Sequence, residues 1–446
     1  MGLLEKVFAA GIVGQGGAGF PTHVKLDCKV EYLLLNAAEC EPLLHTDKYV
    51  LRHFAGEILD ALHETAAHVE AAQIVIAVKG VNAAEIAALE KAIAERKSRA
   101  TLFRLDNYYP AGDEQMLVYD VTGRTVPPGQ IPLKVGAVVS NAATMLSVHD
   151  ALSDRPLTHK FITVAGRVRK PAVLRVPIGA SFAECIAACG GVSVDDFVIV
   201  NGGPMMGAVY GASEADSLFV TKTTSGILAL PGGGNFIART KALSVRQILH
   251  RAKSACIQCS FCTDLCPRYL IGHSLKPHRL MRKMAMQDFD KPLEADDILR
   301  EALICCECGI CEAFACPMGL SPRQVNKHVK SQLKGQKFEQ KVPPEASPMR
   351  QYRKISPKKV MARMGLLAEY DRWSENYLEL EPRQVWIPCS QHIGAPAEAV
   401  VRAGDHVERG QLVAKAAEGK LSANIHASIS GRVVRADSIV HIEGGA

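Results

Sequence analysis

The sequence predicts a multidomain α/β protein, and three observations carry that prediction. A chain of 446 residues has room for three or more domains. The first third alternates short apolar runs with amphipathic stretches, the pattern of a mostly parallel sheet. Further along, two dense cysteine runs lie between β-rich segments.

Composition narrows the class. A hydrophobic content of 48% suits packed cores, and a formal charge of +6 without a Lys/Arg block is too weak to argue for nucleic acid. No uninterrupted apolar run approaches the ~18 residues of a membrane-spanning helix. The opening MGLLEKVFAAGIVG lacks the basic start and long apolar run of a secretory signal. With fourteen cysteines, this leads us to expect a reducing interior.

The elements follow in chain order. Leu3, Leu4, Val7, Phe8 and Ile12 recur at helical spacing over residues 2–13, a short packing helix, with a membrane-surface or targeting role as the alternative. Gly14-Gln15-Gly16-Gly17-Ala18-Gly19 contains GxGxxG, but a helix precedes it and Pro21 interrupts it, so the simple dinucleotide fingerprint fails its context. Such a loop still lets backbone N–H groups approach a phosphate, with Lys25 as a cation; a plain Gly-rich turn is the alternative. Tyr32–Leu35 reads as a buried strand ending in polar Asn36, Glu39 and Glu41, where α/β folds bind ligands. Helix (48–70), strand (73–78), helix (82–97) and strand (101–105) continue the pattern. Tyr109-Pro110-Ala111-Gly112-Asp113-Glu114 opens a helix. Residues 135–139 form a strand, and Asn141 caps a helix containing Thr144.

Residues 160–168, 172–176, 181–189 and 197–200 read β-β-α-β, a small β-grasp-like module, with Ser181 as helix cap. The pair Met205-Met206 is expected in the core. Residues 334–360, rich in Lys, Pro, Gln and Ser, are expected to be a linker. In the C-terminal stretch, Val-x-x-Gly-Asp-x-Val-x-x-Gly-Gln is the turn pattern of a lipoyl-type sandwich, without the Met-Lys-Met that would carry a lipoate or biotin.

The cysteines carry the chemistry. Cys256-x-x-Cys259-x-x-Cys262-x-x-x-Cys266-Pro267 has the spacing that holds [4Fe–4S] clusters. Cys305-x-x-Cys308-x-x-Cys311-x-x-x-x-Cys316-Pro317 repeats it with one extra residue. Three close thiolates grip one cube, and the fourth, before Pro, reaches its neighbour. Cys256, Cys259, Cys262 and Cys316 thus form one set; Cys305, Cys308, Cys311 and Cys266 form the other, with Cys306 left over. Zinc sites use separated Cys pairs or Cys with His, a poor fit here. His273 and His278 are expected at the surface. Cys28, Cys40, Cys185, Cys189 and Cys389 are expected to be buried thiols, with a reactive Cys40 as an alternative.

The Gly-Gly-Ala-Gly-Phe-Pro-Thr, Asn-Ala-x-Glu-x-Glu-Pro and Gly-Asp-Glu segments resemble the flavin-bearing subunit of respiratory complex I. The match to the C subunit of the Rnf complex extends over the β-grasp (SLBB) module and both cysteine runs. There the Gln-His-Ile-Gly-Ala-Pro sandwich comes first; here Gln391–Pro396 comes last. That order resembles the cobalamin reductases of the propanediol-utilisation microcompartment.

The resemblance implies a Rossmann-like FMN/NADH domain (1–155), an SLBB β-grasp module and connector (156–240), a helical two-[4Fe–4S] ferredoxin-like domain (241–335), a linker (336–382) and a C-terminal barrel-sandwich hybrid (383–446). It implies that Gly14, Gly16, Gly17, Gly19 and Lys25 approach the FMN phosphate and NADH. Asn36, Glu39 and Glu41 would line the flavin and nicotinamide, with the two glutamates catalytic. Tyr109, Gly112, Asp113 and Glu114 would follow, and Asn141 and Thr144 would lie near the phosphate. Ala38, Gln15 and Asp113 depart from the complex I pattern, which has an acid, Arg and Glu there. The implied reaction passes electrons from NADH through FMN and two clusters to cobalamin. The alternative is an Rnf-like relay to or from a protein. Implied partners are NADH, a corrinoid, and an adenosyltransferase or shell protein. The implied place is the cytoplasm, inside a bacterial microcompartment. No Asp-x-His-x-x-Gly corrinoid motif occurs.

Overall fold

Leu33, Leu35, Ile74, Ile76 and Val138 join one buried cluster, while Leu34, Val75, Ala77 and Val139 join another. This alternation is the period of two of a strand with both faces covered, which is why the runs read as continuously apolar. The strands are β1 (Tyr32–Ala37), β2 (Gln73–Lys79), β3 (Thr101–Leu105) and β4 (Ala137–Asn141), all parallel in the order β3-β2-β1-β4. The computed structural model describes residues 1–240, 243–340 and 342–445; the expected domain boundary at residue 241 lies outside them.

Local differences have local causes. The helix expected over 48–70 is two, Thr46–His53 and Ala55–His68, broken at Phe54. The strand expected from 135 begins at Ala137, because Pro132–Val135 forms a 3-10 turn ended by Gly136 at φ 75°. Asn141 caps the helix Ala142–Leu152 by accepting from the Ala143 and Thr144 N–H groups.

The second sheet is larger than expected. To β5 (His159–Gly166), β6 (Ala172–Pro177) and β7 (Phe197–Asn201) it adds β8 (Ala208–Gly211), β9 (Gly226–Pro231) and β10 (Asn376–Glu379), in the order β10-β6-β5-β9-β7-β8. The last strand corrects the reading of 336–382 as a linker. That segment also carries helices Pro357–Met364 and Leu367–Tyr370, with Val360, Met361 and Met364 buried. Arg350 pairs with Asp120 at 2.8 Å and Lys354 with Asp106 at 2.6 Å, strapping the segment to the first domain.

The cysteine-bearing unit has its own core of Leu280, Met281, Leu299 and Val325. The C-terminal sandwich pairs a four-stranded with a three-stranded sheet, and its Val385, Val407 and Val433 share one core with the first domain. No helix among the described residues is long and apolar enough to cross a membrane.

Candidate functional site

The order β3-β2-β1-β4 reverses direction between β1 and β4, so a crevice is expected outside their carboxyl ends. Asn36 and Asn141 are register partners at that point. The Gly-rich loop closes over it: the Gln15 N–H donates to Thr144 Oγ1 at 3.0 Å, and a Cβ on Gly16 would stand 3.1 Å from Asn141 Nδ2. Asn36 Nδ2 donates to the Gly112 carbonyl at 2.9 Å, and Lys25 pairs with Glu114 at 2.6 Å. The Gly-rich loop, Asn36, Gly112, Asn141 and Thr144 therefore meet at this edge.

The loop is held from behind. Gly19, at φ 74°, leaves no room for a side chain: a Cβ would stand 2.6 Å from Thr223 Cγ2 and 3.0 Å from His392 Cα. The Ile393 N–H donates to the Ala18 carbonyl at 3.0 Å, so the Gln391–Pro396 segment buttresses the loop although it comes last in the chain. Gln15 is tied to Ala143 and Ser147 instead of reaching into the crevice. Nothing stands within 4 Å of a Cβ on Gly17, leaving a bound group free to lie against that backbone. Small residues, asparagines, a hydroxyl and a lysine are a donor set that fits a flavin mononucleotide.

The two glutamates diverge. Glu39, at φ 38°, accepts from the Asp47 and Lys48 N–H groups at the start of helix Thr46–His53. Burial, then the Asp47 charge, pushes its pKa up to about 8. Glu41 turns toward the β-grasp module, accepting from the Met205 N–H at 3.0 Å and the Tyr109 hydroxyl at 3.3 Å; burial pushes it up to about 7. Burial raises Cys40 to about 12, so it stays a thiol and is not a reactive thiolate.

The cysteines gather in two sets. Cys256, Cys259, Cys262 and Cys316 line one cavity. Cys308 and Cys311 lie close enough to Cys266, and Cys311 to Cys305, to feel each other's charge. Gln258 and Ser260 have φ of 54° and 61°, and Glu307 and Gly309 repeat this at 60° and 78°. That repeat aligns Cys305 with Cys256 and leaves Cys306 in the place of Ile257. Donors point at the sulfurs: Glu307 N at 3.4 Å and Asn326 Nδ2 at 3.6 Å to Cys305, Leu320 N at 3.3 Å to Cys316, and Gln258 Nε2 at 3.0 Å to Cys256. Among the described residues no three His, Cys, Asp or Glu side chains converge on a single-ion position. Thiols spread around a cavity, three of them with N–H donors, fit irons at separate corners of a cube.

Two expectations about neighbouring residues are corrected. His273 is 2% exposed, its Nε2 bonded to the Val126 carbonyl at 2.9 Å, and burial lowers its pKa to about 4. His278 is half-buried against Thr263 Oγ1 at 2.7 Å. Of the Met pair, only Met205 is core; Met206 is 54% exposed, because the turn after β7 points it outward.

The crevice and the cysteines are joined. The Tyr109 hydroxyl donates to the Cys308 carbonyl at 2.7 Å, and Arg268 pairs with Asp113 at 3.0 Å. Tyr109, Cys308 and Ile310 share a buried cluster with Cys40 and Cys306 packed on it. The Cys305 set thus faces the crevice. The Cys256 set lies outward, beside Ile257 and Phe261 at 62% and 52% exposure.

Family models match in the same order as these units. Residues 7–150 match the Nuo51 FMN-binding domain, 161–209 the SLBB domain, 255–321 a 4Fe-4S dicluster domain and 377–446 the RnfC barrel sandwich hybrid domain. The chain is 41% identical to Cobalamin reductase PduS of Salmonella typhimurium over 434 residues, 96% of this chain and 93% of that one. The chain belongs to the cobalamin reductase PduS family. The Citrobacter freundii member is 40% identical over 445 residues, 99% and 96% of the two chains. The Acetobacterium woodii Na(+)-translocating ferredoxin:NAD(+) oxidoreductase complex has a C subunit that is 35% identical over 272 residues, 60% and 58% of the two.

Sequence reading missed Asp47 and Lys79. Asp47 accepts from Asn141 Nδ2 at 2.7 Å, and buried Lys79 donates to the Glu39 carbonyl at 3.3 Å. Burial lowers the Lys79 pKa. A signal existed for Lys79: it is a charge ending an apolar strand beside β1. Asp47 had none, since an acid in a helix's first turn is ordinary.

Proposed function

We propose that this chain is an NADH-dependent cobalamin reductase, passing electrons through FMN and two [4Fe–4S] clusters to cob(III)alamin and cob(II)alamin so that adenosylcobalamin can be regenerated. It is an oxidoreductase with an FMN-binding and a 4Fe-4S dicluster domain. The acceptor is taken from the name of the family it belongs to. The observation that carries the path is the Tyr109–Cys308 contact, which sets the Cys305 group against the flavin crevice.

When bound, the flavin exchanges a two-electron hydride for single electrons, which the clusters carry one at a time. The chain's own residues set the order. Gly14, Gly16, Gly17, Gly19, Lys25, Asn141 and Thr144 hold the FMN phosphate side. Asn36, Gly112, Asp113 and Glu114 frame the ring, with Glu39 on the nicotinamide side, while Glu41 is committed to Met205 and Tyr109 at the junction with the β-grasp module. Cys305, Cys308, Cys311 and Cys266 ligate the inner cluster, and Cys256, Cys259, Cys262 and Cys316 the outer. Glu39, raised to about 8, holds a proton at neutral pH on the carboxyl that faces the Asp47 N–H. Buried Tyr109, Leu43 and Leu44 exclude water between crevice and cluster. The units divide near 1–155, 156–240, 241–335 and 383–446, with 336–382 packed onto the first two. We place the protein in the cytoplasm, inside a microcompartment, on family resemblance alone.

The likeness to the Acetobacterium woodii protein favours a second reading, a relay to or from a protein partner. Anaerobic reconstitution, addition of NADH, and parallel reading of flavin absorbance, cluster EPR and cob(II)alamin test both. Cluster reduction with no corrinoid change supports the relay; a reconstituted protein without flavin overturns both.

A further inference from the structure

The extra residue of the second cysteine run shapes a surface groove. Three residues separate Cys262 from Cys266, and four separate Cys311 from Cys316. Cys311–Ala315 absorbs the insertion as one π turn, closed by the Cys316 N–H on the Cys311 carbonyl at 3.1 Å. Inserted π turns recur at functional sites. This one is anchored by the buried pair Glu312–Arg323 at 2.6 Å. It presents Phe314 to a groove of about 380 Å³, whose walls also include Phe261, Pro317, Arg353 and Arg363.

The groove lies against the outer cysteine set, because Phe261 sits between Cys259 and Cys262, and Pro317 follows Cys316. Its cations are unevenly committed. Arg353 pairs with Asp264 at 3.2 Å. Arg363 is exposed and has no ion-pair partner among the described residues. Arg239 lies near both Arg363 and Cys316. An apolar shelf beside an unpaired guanidinium suits a flat ligand bearing one anionic group.

We infer that this groove seats the corrinoid acceptor, with its nucleotide-loop phosphodiester on Arg363 and an apolar edge on Phe261 and Phe314. The inference rests on the reading that cobalamin is the acceptor. Charge complementarity selects this occupant: the phosphodiester is cobalamin's permanent anion, and its amide side chains are neutral. The groove holds one end of the ligand, leaving the rest in solvent. A cluster held by Cys256, Cys259, Cys262 and Cys316 would supply the single electron that takes Co(III) to Co(II) with loss of the axial water. No bond to the protein forms.

Equilibrium dialysis of cluster-loaded protein tests the seat, with aquacobalamin and diaquacobinamide as probes, the latter lacking the nucleotide loop. Wild type binds aquacobalamin more tightly. Arg363→Glu weakens aquacobalamin binding about tenfold or more and spares cobinamide. Phe314→Ala weakens both. Iron content and cluster EPR of Arg363→Glu stay at wild-type levels, since its side chain faces solvent. Wild-type cobalamin affinity in Arg363→Glu overturns the seat while leaving the acceptor reading standing. A wild type that neither binds nor reduces cobalamin overturns the acceptor reading, and the seat with it.

Discussion

The Tyr109 hydroxyl and the Cys308 carbonyl, 2.7 Å apart, come from two different domains and meet in a buried cluster. One phenol thus ties the loop bordering the flavin crevice to the backbone of a cysteine run.

Tyr109→Phe removes the donor and leaves a buried carbonyl unpaired, at a cost of about 1–3 kcal/mol. We expect a lowered unfolding midpoint, full flavin and iron content, and slower electron exchange between them. Stopped-flow absorbance on the loaded protein checks this.

Cys305 and Cys306 are adjacent, but only Cys305 repeats the position of Cys256. Cys305→Ser should lose one cluster, while Cys306→Ser should keep about eight irons per chain. Iron and sulfide analysis decides; equal loss in both would mean the register is wrong.

Arg268 and Asp113 are 10% and 14% exposed, and their 3.0 Å bridge spans the same junction. Arg268→Ala leaves Asp113 with only its Gln115 and Met116 N–H donors and should cost about 1–3 kcal/mol. Denaturant unfolding should show the loss, and limited proteolysis should cut between the domains sooner.

Glu39 ionises near 4.5 when unfolded and near 8 when folded. Between those values the folded chain keeps a proton that the unfolded chain has released, so stability falls as pH rises through this window and levels off above it. Glu39→Gln removes the effect. The two proteins should match near pH 4, below the unfolded value, and wild type should be weaker by a few kcal/mol, on the order expected for such a shift, at pH 8. Unfolding of the flavin-free proteins across that range checks it; parallel curves would contradict it.

Some of this site was legible because local rules decide it. Asn36 and Asn141 end apolar strands, and cysteine spacing with a following proline separates the two sets. Other parts depend on distant partners. Glu41 turns to Met205, 164 residues away, and nothing near Glu41 signals that. Residues 336–382 looked like a linker because Lys and Pro mask a few apolar positions, yet Val360, Met361 and Met364 bury there, and Trp373 stacks on His45 at 3.8 Å. The residue inserted before Cys316 was visible, but its accommodation as a π turn depends on the Arg323 beneath it.

On the proposed reading, electrons follow an ordered path from crevice to inner cysteines to outer cysteines to corrinoid. Freeze-quench EPR of Cys256→Ser and Cys305→Ser, each mixed anaerobically with NADH and aquacobalamin, tests it most directly. Cys256→Ser should bleach its flavin and reduce its remaining cluster but leave the cobalamin oxidised. Cys305→Ser should bleach its flavin and leave its remaining cluster oxidised. Cobalamin reduction at the wild-type rate in Cys256→Ser would contradict it.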